Sequence, residues 1–201
     1  VPYYGMVDDN IGYIKLNSFT NKARDEVKEA LVDLKEKNEI TGLVFDLRGN
    51  PGGLLREAVN IVNLFVKKGE KIVSTKGRLT EWDKVHHAIN EPVDLDIPVV
   101  CVINSQSASA SEIVSGAIQD MDRGLVVGQR SYGKGLVQQT LKLSYNSQLK
   151  VTTAKYYIPS GRCIQALDYS HRNSDGSVGK IPDSLISEFA TKGGRKVYDG
   201  G

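Results

Sequence analysis

Ile97-Pro98-Val99-Val100-Cys101-Val102-Ile103, followed by Asn104-Ser105-Gln106-Ser107-Ala108-Ser109-Ala110-Ser111-Glu112, is the most informative run in the chain. The first part is apolar and β-branched over seven residues, which fits a buried strand. Beyond the second part, Val114, Ala117, Ile118 and Met121 recur at helical spacing. The small residues therefore sit at a strand-to-helix junction. Unpaired N–H groups at a helix start stabilise negative charge, so a serine there can act as a nucleophile beside an anion site. Ser109-x-x-Glu112 also has the spacing of a capping box, in which Ser109 merely starts the helix.

Working outward, the same alternation of strand and helix continues. Towards the N-terminus, Ile11 to Phe19 alternates as a strand, after a short mixed segment with a turn at Asp8-Asp9-Asn10. Asn21 is placed to cap a helix whose apolar face is Ala23, Val27, Ala30, Leu31 and Leu34. Ile40 to Leu47 is a strand that runs into Arg48-Gly49-Asn50-Pro51-Gly52-Gly53. A helix with Leu55, Ala58, Val62 and Phe65 follows, ending near Gly69. Lys71 to Thr75 reads as a strand, and Lys76 to Asp96 as a polar loop.

Towards the C-terminus, Gly124 to Gln129 reads as a short strand and Arg130 to Gly135 as a loop. Val137 to Ile158 alternates on either side of Tyr145-Asn146-Ser147, the pattern of a β-hairpin. Ala166 to Gly201 is polar and weakly patterned, apart from Leu185, Ile186 and Phe189. This order predicts one α/β domain with helices packed on a sheet.

Composition narrows the function. The chain has 201 residues, 40% of them hydrophobic, enough for one core. Its 26 basic and 24 acidic residues nearly balance and form no basic block, so nucleic acid is not an expected partner. No run is long and apolar enough for a membrane span. The histidines, His86, His87 and His171, have no metal-ligand spacing, so no metal or organic cofactor is expected. Cys101 lies in the apolar run and Cys163 in a turn, and spacing alone leaves their pairing open.

Three segments carry chemistry. In Asp46-Leu47-Arg48-Gly49-Asn50-Pro51-Gly52-Gly53, paired glycines can let backbone N–H groups approach a ligand, or simply make a tight turn. The serine run supplies hydroxyls. Tyr132-Gly133-Lys134-Gly135, followed by Gln138, supplies a lysine that taken alone is a solvated turn residue. A serine nucleophile needs a base, and no histidine has an evident orienting partner. A lysine serves when desolvation holds it neutral, and Ser-Lys pairs are a known variant of the serine-protease constellation.

In these three motifs, taken in this order, the sequence resembles the C-terminal processing peptidases, also called tail-specific proteases. The resemblance runs from Gly12-Tyr13-Ile14 to Val197-Tyr198-Asp199-Gly200-Gly201. It implies the crotonase/ClpP-like sheet-and-helix core with a β-hairpin extension. By position it makes Ser109 the nucleophile, Lys134 the general base and Gln138 the residue that orients the lysine. The oxyanion hole falls to the N–H groups of Gly52 and Ala110. Asp120 matches an acidic position linked to activity in some members, whereas its own surroundings read as a helical surface aspartate. Ser105-Gln106 departs from the glycine that many members carry there.

The resemblance further implies protein or peptide substrates bound by their C-terminal regions and an extracytoplasmic, periplasmic or envelope location. It allows a homo-oligomer. It also implies a regulatory PDZ domain just before the protease core, so the sequence reads as residues 1–201 of a core without that domain. The rival expectation is a non-catalytic peptide- or ligand-binding module on the same fold. Acyl-CoA chemistry has only the fold analogy behind it.

Overall fold

In chain order the computed structural model, which describes residues 1–200, contains the following elements. The first half holds β1 (Tyr3–Asp8), β2 (Ile11–Lys15), α1 (Ala23–Lys37), β3 (Gly42–Asp46), α2 (Leu55–Val62), β4 (Lys71–Gly77) and β5 (Lys84–His87). The second half holds β6 (Val99–Ile103), α3 (Ala110–Asp120), β7 (Gly124–Gly128), β8 (Leu136–Lys142), β9 (Gln148–Tyr157), β10 (Leu167–Arg172), β11 (Val178–Lys180), β12 (Glu188–Ala190) and β13 (Lys196–Tyr198).

Two sheets carry the architecture. One runs β1-β2-β3-β6-β7, with β2, β3, β6 and β7 parallel and β1 antiparallel at the edge. The other is antiparallel, in the order β5-β4-β9-β8. The α/β expectation, with a hairpin extension at β8–β9, is met.

Helix α1 buries the five residues that its periodicity singled out, Ala23, Val27, Ala30, Leu31 and Leu34. Asp25 and Glu26 in its first turn and Lys35 and Lys37 in its last complement the helix dipole. Helix α3 differs: ten of its eleven residues are buried, because it packs against α2 and against strands of both sheets. Phe19, Phe45 and Phe65 are among the largest fully buried side chains, and burial of each contributes on the order of 1.5–3 kcal/mol.

Several local expectations are corrected. Tyr3–Asp8 is a strand rather than an irregular lead-in, paired with β2 through the turn after Asp8. Lys84–His87 is also a strand, inside the segment that reads as a loop. Both are sheet edges with exposed side chains, so no burial pattern marks them. The first parallel strand stops at Lys15, short of Phe19. Lys22, not Asn21, precedes α1, and no side chain caps it. The tail forms two small ribbons, β10–β11 and β12–β13. Cys101 and Cys163 are both free.

Candidate active site

Strands β3, β6 and β7 are neighbours in the parallel sheet. The loops leaving their C-terminal ends hold the three motifs, the place where open α/β sheets bind ligands.

Beyond the exposed Ser105, the Ser107-Ala108-Ser109-Ala110-Ser111 run after β6 sorts its three serines by environment. Ser107 is fully buried; its hydroxyl donates to the Leu47 carbonyl at 2.8 Å and accepts from Asn104 N at 3.0 Å. Ser111 is fully buried and donates to the Asn50 carbonyl at 2.9 Å. Both hydroxyls hold backbone. Ser109 alone is partly exposed. It starts α3 with φ 56° and ψ −112°, the geometry of the first central residue of a type II′ turn, where glycine is usual. A non-glycine residue there stores roughly 1–3 kcal/mol of strain, and such strain clusters at active sites. A strained serine on a strand-to-helix turn is also the arrangement that exposes the nucleophile at the top of α/β-hydrolase sheets. Ser109 and Glu112 do form the capping box. The cap and the exposed, strained hydroxyl belong to the same residue, so the two sequence readings do not exclude each other.

The loop after β3 packs directly on this turn. Asn50 is fully buried. Its amide donates to the Leu16 carbonyl at 2.8 Å, and its own carbonyl accepts from Ala108 N at 3.0 Å as well as from Ser111. Gly52 adopts φ +102°, and a β-carbon there would sit 2.7 Å from the Ala108 oxygen and 2.9 Å from Ala110 N. Only glycine allows this approach. Ala110 is the first residue of α3 and has no intrahelical acceptor for its N–H. The Gly52 N–H is already given to Asn50 Oδ1 at 2.9 Å. An oxyanion would share that donor or displace the amide, whereas the Ala110 N–H lies at the positive end of α3.

The loop after β7 brings in the lysine. Tyr132 N donates to the Ser107 carbonyl at 3.0 Å. Glu112 then binds both loops. Its Oε2 accepts from Ser109 N at 2.7 Å and from Lys134 N at 2.9 Å, and its Oε1 accepts from Gly133 N at 2.5 Å. Burial pushes the Glu112 carboxyl pKa up, against the Ser131 hydroxyl and these three N–H groups, which pull it down; the net shift is upward. The glycines flanking Lys134 have a packing reason. Gly135 N donates to Gln165 Oε1 at 2.9 Å and Ala166 N to the Gly133 carbonyl at 3.1 Å. A β-carbon on either glycine would collide with Gln165 or Ala166.

Against the expectation of a desolvated base, Lys134 is exposed, because its loop stands at the mouth of a cleft rather than inside the core. With Gln138, which stands on β8, it lines a cleft of about 500 Å³ whose apolar lining includes Tyr132, Leu136 and Leu167. None of the histidines lines this cleft. His86 and His87 are on β5, at the edge of the antiparallel sheet opposite β8. His171, exposed on β10, pairs at 2.8 Å with Asp168, which does line the cleft.

Asp120 is not a surface residue. Its side chain is fully buried at the C-terminal end of α3, ion-paired with Arg162 at 3.0 Å, and it accepts from Ser160 N at 2.9 Å. Arg162 also donates to the Tyr198 carbonyl at 3.1 Å, which ties the tail to the core. An aspartate at the last turn of a helix normally faces water. Here the arginine supplied from forty-two residues away covers it, a pairing with no local signal. Asn50 and the second role of Glu112 were likewise outside the reach of motif spacing.

The sequence and the fold have relatives. The model of peptidase family S41 matches residues 10–170. The chain belongs to peptidase family S41. A carboxy-terminal-processing protease of Bartonella bacilliformis is 43% identical over 185 residues, covering 90% of this chain and 40% of that protein. A carboxyl-terminal-processing protease of Picosynechococcus is 38% identical over 191 residues, covering 93% of this chain and 42% of that protein. The chain thus spans about two fifths of the length of these relatives. Among solved structures, a photosystem II D1 C-terminal processing protease superposes with a TM-score of 0.71 at 33% identity, over 77% of this chain and 39% of that one. An S41 protease from Bacteroides fragilis, described as putative, shares the fold with a TM-score of 0.67 at 15% identity, over 80% of this chain and 46% of that one.

Proposed function

We propose that this S41 chain is the catalytic core of a serine endopeptidase that cleaves polypeptides near their C-termini through an acyl-enzyme. The Ser109 hydroxyl oxygen attacks the scissile carbonyl carbon and its proton passes to the Lys134 amine. The oxyanion of the tetrahedral adduct is met by the Ala110 N–H and, after exchange with Asn50, by Gly52. Lys134 returns the proton to the leaving amine, the C–N bond breaks, and an ester on Ser109 remains. Water, deprotonated by Lys134, then hydrolyses that ester. Gln138 holds the lysine through its side-chain carbonyl.

One observation carries this reading. Of the four serines between 105 and 111, Ser107 and Ser111 have buried hydroxyls committed to backbone carbonyls and Ser105 is an exposed turn residue, whereas Ser109 is strained and partly exposed at a helix N-terminus. Following the relatives' names, the substrates are proteins recognised by their C-terminal regions. An adjoining PDZ domain would capture that terminus by strand addition, in an extracytoplasmic compartment.

A serine-directed fluorophosphonate tests the chemistry. It labels the wild type and fails to label Ser109→Ala, while Ser107→Ala and Ser111→Ala stay reactive. Labelling that survives in Ser109→Ala refutes the assignment, and a wild type that never labels leaves the binding-module reading in place.

A further inference from the structure

We infer that Glu112 is a positioning residue: one buried carboxylate holds the turn of the nucleophile and the loop of the base at a fixed separation. The inference rests on the Ser109–Lys134 reading above. Glu112 is 3% exposed and is not among the residues that line the cleft beside Lys134. Its sequence position accounts for the bond to Ser109 N, since a glutamate three residues into a helix reaches back to the residue before it. Nothing in a cap requires the other two bonds. Gly133 N and Lys134 N arrive from a different strand, more than twenty residues away.

The donor pattern makes the ionised carboxylate specific for this task. Both oxygens face N–H donors, Oε2 facing two and Oε1 one. A carboxylate accepts at all of these points, whereas an amide must turn an NH₂ against at least one of them. Glu112→Gln therefore keeps the volume and loses the acceptor set on one side. Removing an acceptor from a buried donor costs the desolvation of that donor, so the loop moves to find water. Either loop then drifts relative to the other. Misplacement of a reacting group by about 1 Å lowers the rate by about 100-fold. The effect falls mainly on kcat, because, of the cleft's lining, only Gly133 and Lys134 hang on Glu112, while its walls from β8, β9 and β10 do not.

Two measurements on the same variants decide this. The first is amide hydrogen exchange, which is read without any assay of cleavage. Glu112→Gln is expected to speed exchange at Ser109 and at Gly133 and Lys134 together, while amides of β2 and β3 keep their wild-type protection. Faster exchange at Ser109 alone reduces Glu112 to a helix cap and overturns the inference, as does no change at either loop. The second is steady-state kinetics on a peptide substrate. Here kcat is expected to fall about 100-fold with KM within about twofold of wild type. Glu112→Asp, which keeps the charge on a shorter arm, should recover part of that loss. A Glu112→Gln enzyme with unchanged kcat overturns the inference. Should Glu112→Gln not fold, the exchange and kinetic criteria apply to Glu112→Asp. The underlying assignment fails separately: if the wild type neither labels at Ser109 nor cleaves, the exchange result still answers the question about Glu112.

Discussion

Gly52 lies against Ser109 so closely that a β-carbon on Gly52 would sit 2.8 Å from the Ser109 β-carbon. The two residues come from loops after different strands, and the contact fixes the backbone of one against the side chain of the other. Gly52→Ala should therefore fail twice. The methyl meets the Ala108 oxygen and Ala110 N, and alanine is strained at φ +102°. We expect a loss of about 2–3 kcal/mol in urea unfolding together with loss of fluorophosphonate labelling. A stable, fully reactive Gly52→Ala enzyme would show that this approach is looser than described.

Ser109→Gly gives the opposite stability result. Glycine adopts φ 56°, ψ −112° without steric cost, and replacing an N-cap serine by glycine costs only a few tenths of a kcal/mol. The variant should be inactive and more stable than wild type by about 1 kcal/mol. Ser107→Ala should behave in reverse, retaining labelling while losing about 1–3 kcal/mol, because Asn104 N loses the Ser107 hydroxyl that accepts from it and the Leu47 carbonyl keeps only the Asn50 N–H. Paired chemical denaturation and labelling read both variants. A Ser109→Gly protein less stable than wild type removes the strain argument.

Cleavage should require an amine at position 134. In the proposed step the Lys134 amine accepts the serine proton. Lys134→Arg should be inactive at every pH, since a guanidinium does not deprotonate in the accessible range. A pH–rate profile that Lys134→Arg leaves intact would exclude Lys134 as the base.

Acid stability has a separate source. Burial alone would raise the Asp46 carboxyl pKa, but hydrogen bonds from Arg48 and Tyr13 outweigh it and hold the pKa down from 3.8 to about 2. A carboxylate with a depressed folded pKa adds stability above its unfolded pKa and loses it as pH falls through the folded one. Asp46 thus contributes fully above about pH 4, and the contribution disappears between there and pH 2. Arg48 is half-exposed, 52% at its side chain, so screening limits the contribution to about 1–2 kcal/mol. Asp46→Asn should be less stable than wild type by that amount at pH 7, with the gap closing below pH 2. Unfolding curves at the two pH values test it; a gap that persists in acid would assign the loss to packing.

Residues of the core announced themselves in the sequence because burial imposes a period. The apolar face of α1 is one case, and the β-branched run ending at Ile103 is another. Edge strands such as Lys84–His87 bury little and so have no period to detect. The serine and lysine motifs were legible as chemistry, yet spacing could not show which serine hydroxyls the backbone consumes. That depended on Leu47 and Asn50, contributed by another strand's loop. Asp120 was misread for the same reason: its partner Arg162 is remote in sequence, and a buried ion pair leaves no local pattern.

On the proposed Ser109–Lys134 reading, the ladder between β6 and β7 acts as a ruler for the reaction. Its register runs from Val99 opposite Gly124 to Ile103 opposite Gly128, and the two loops with Ser109 and Lys134 begin where it ends. Sliding β7 by a single residue would carry the lysine loop about 3.3 Å along the strand axis and turn every β7 side chain to the other face. That step exceeds the tolerance of a proton transfer. Val99, Val100, Leu125 and Val126 thus set the gap between hydroxyl and amine from a distance, through backbone pairing alone. Substitutions that loosen this ladder should silence the enzyme while most of the protein remains folded.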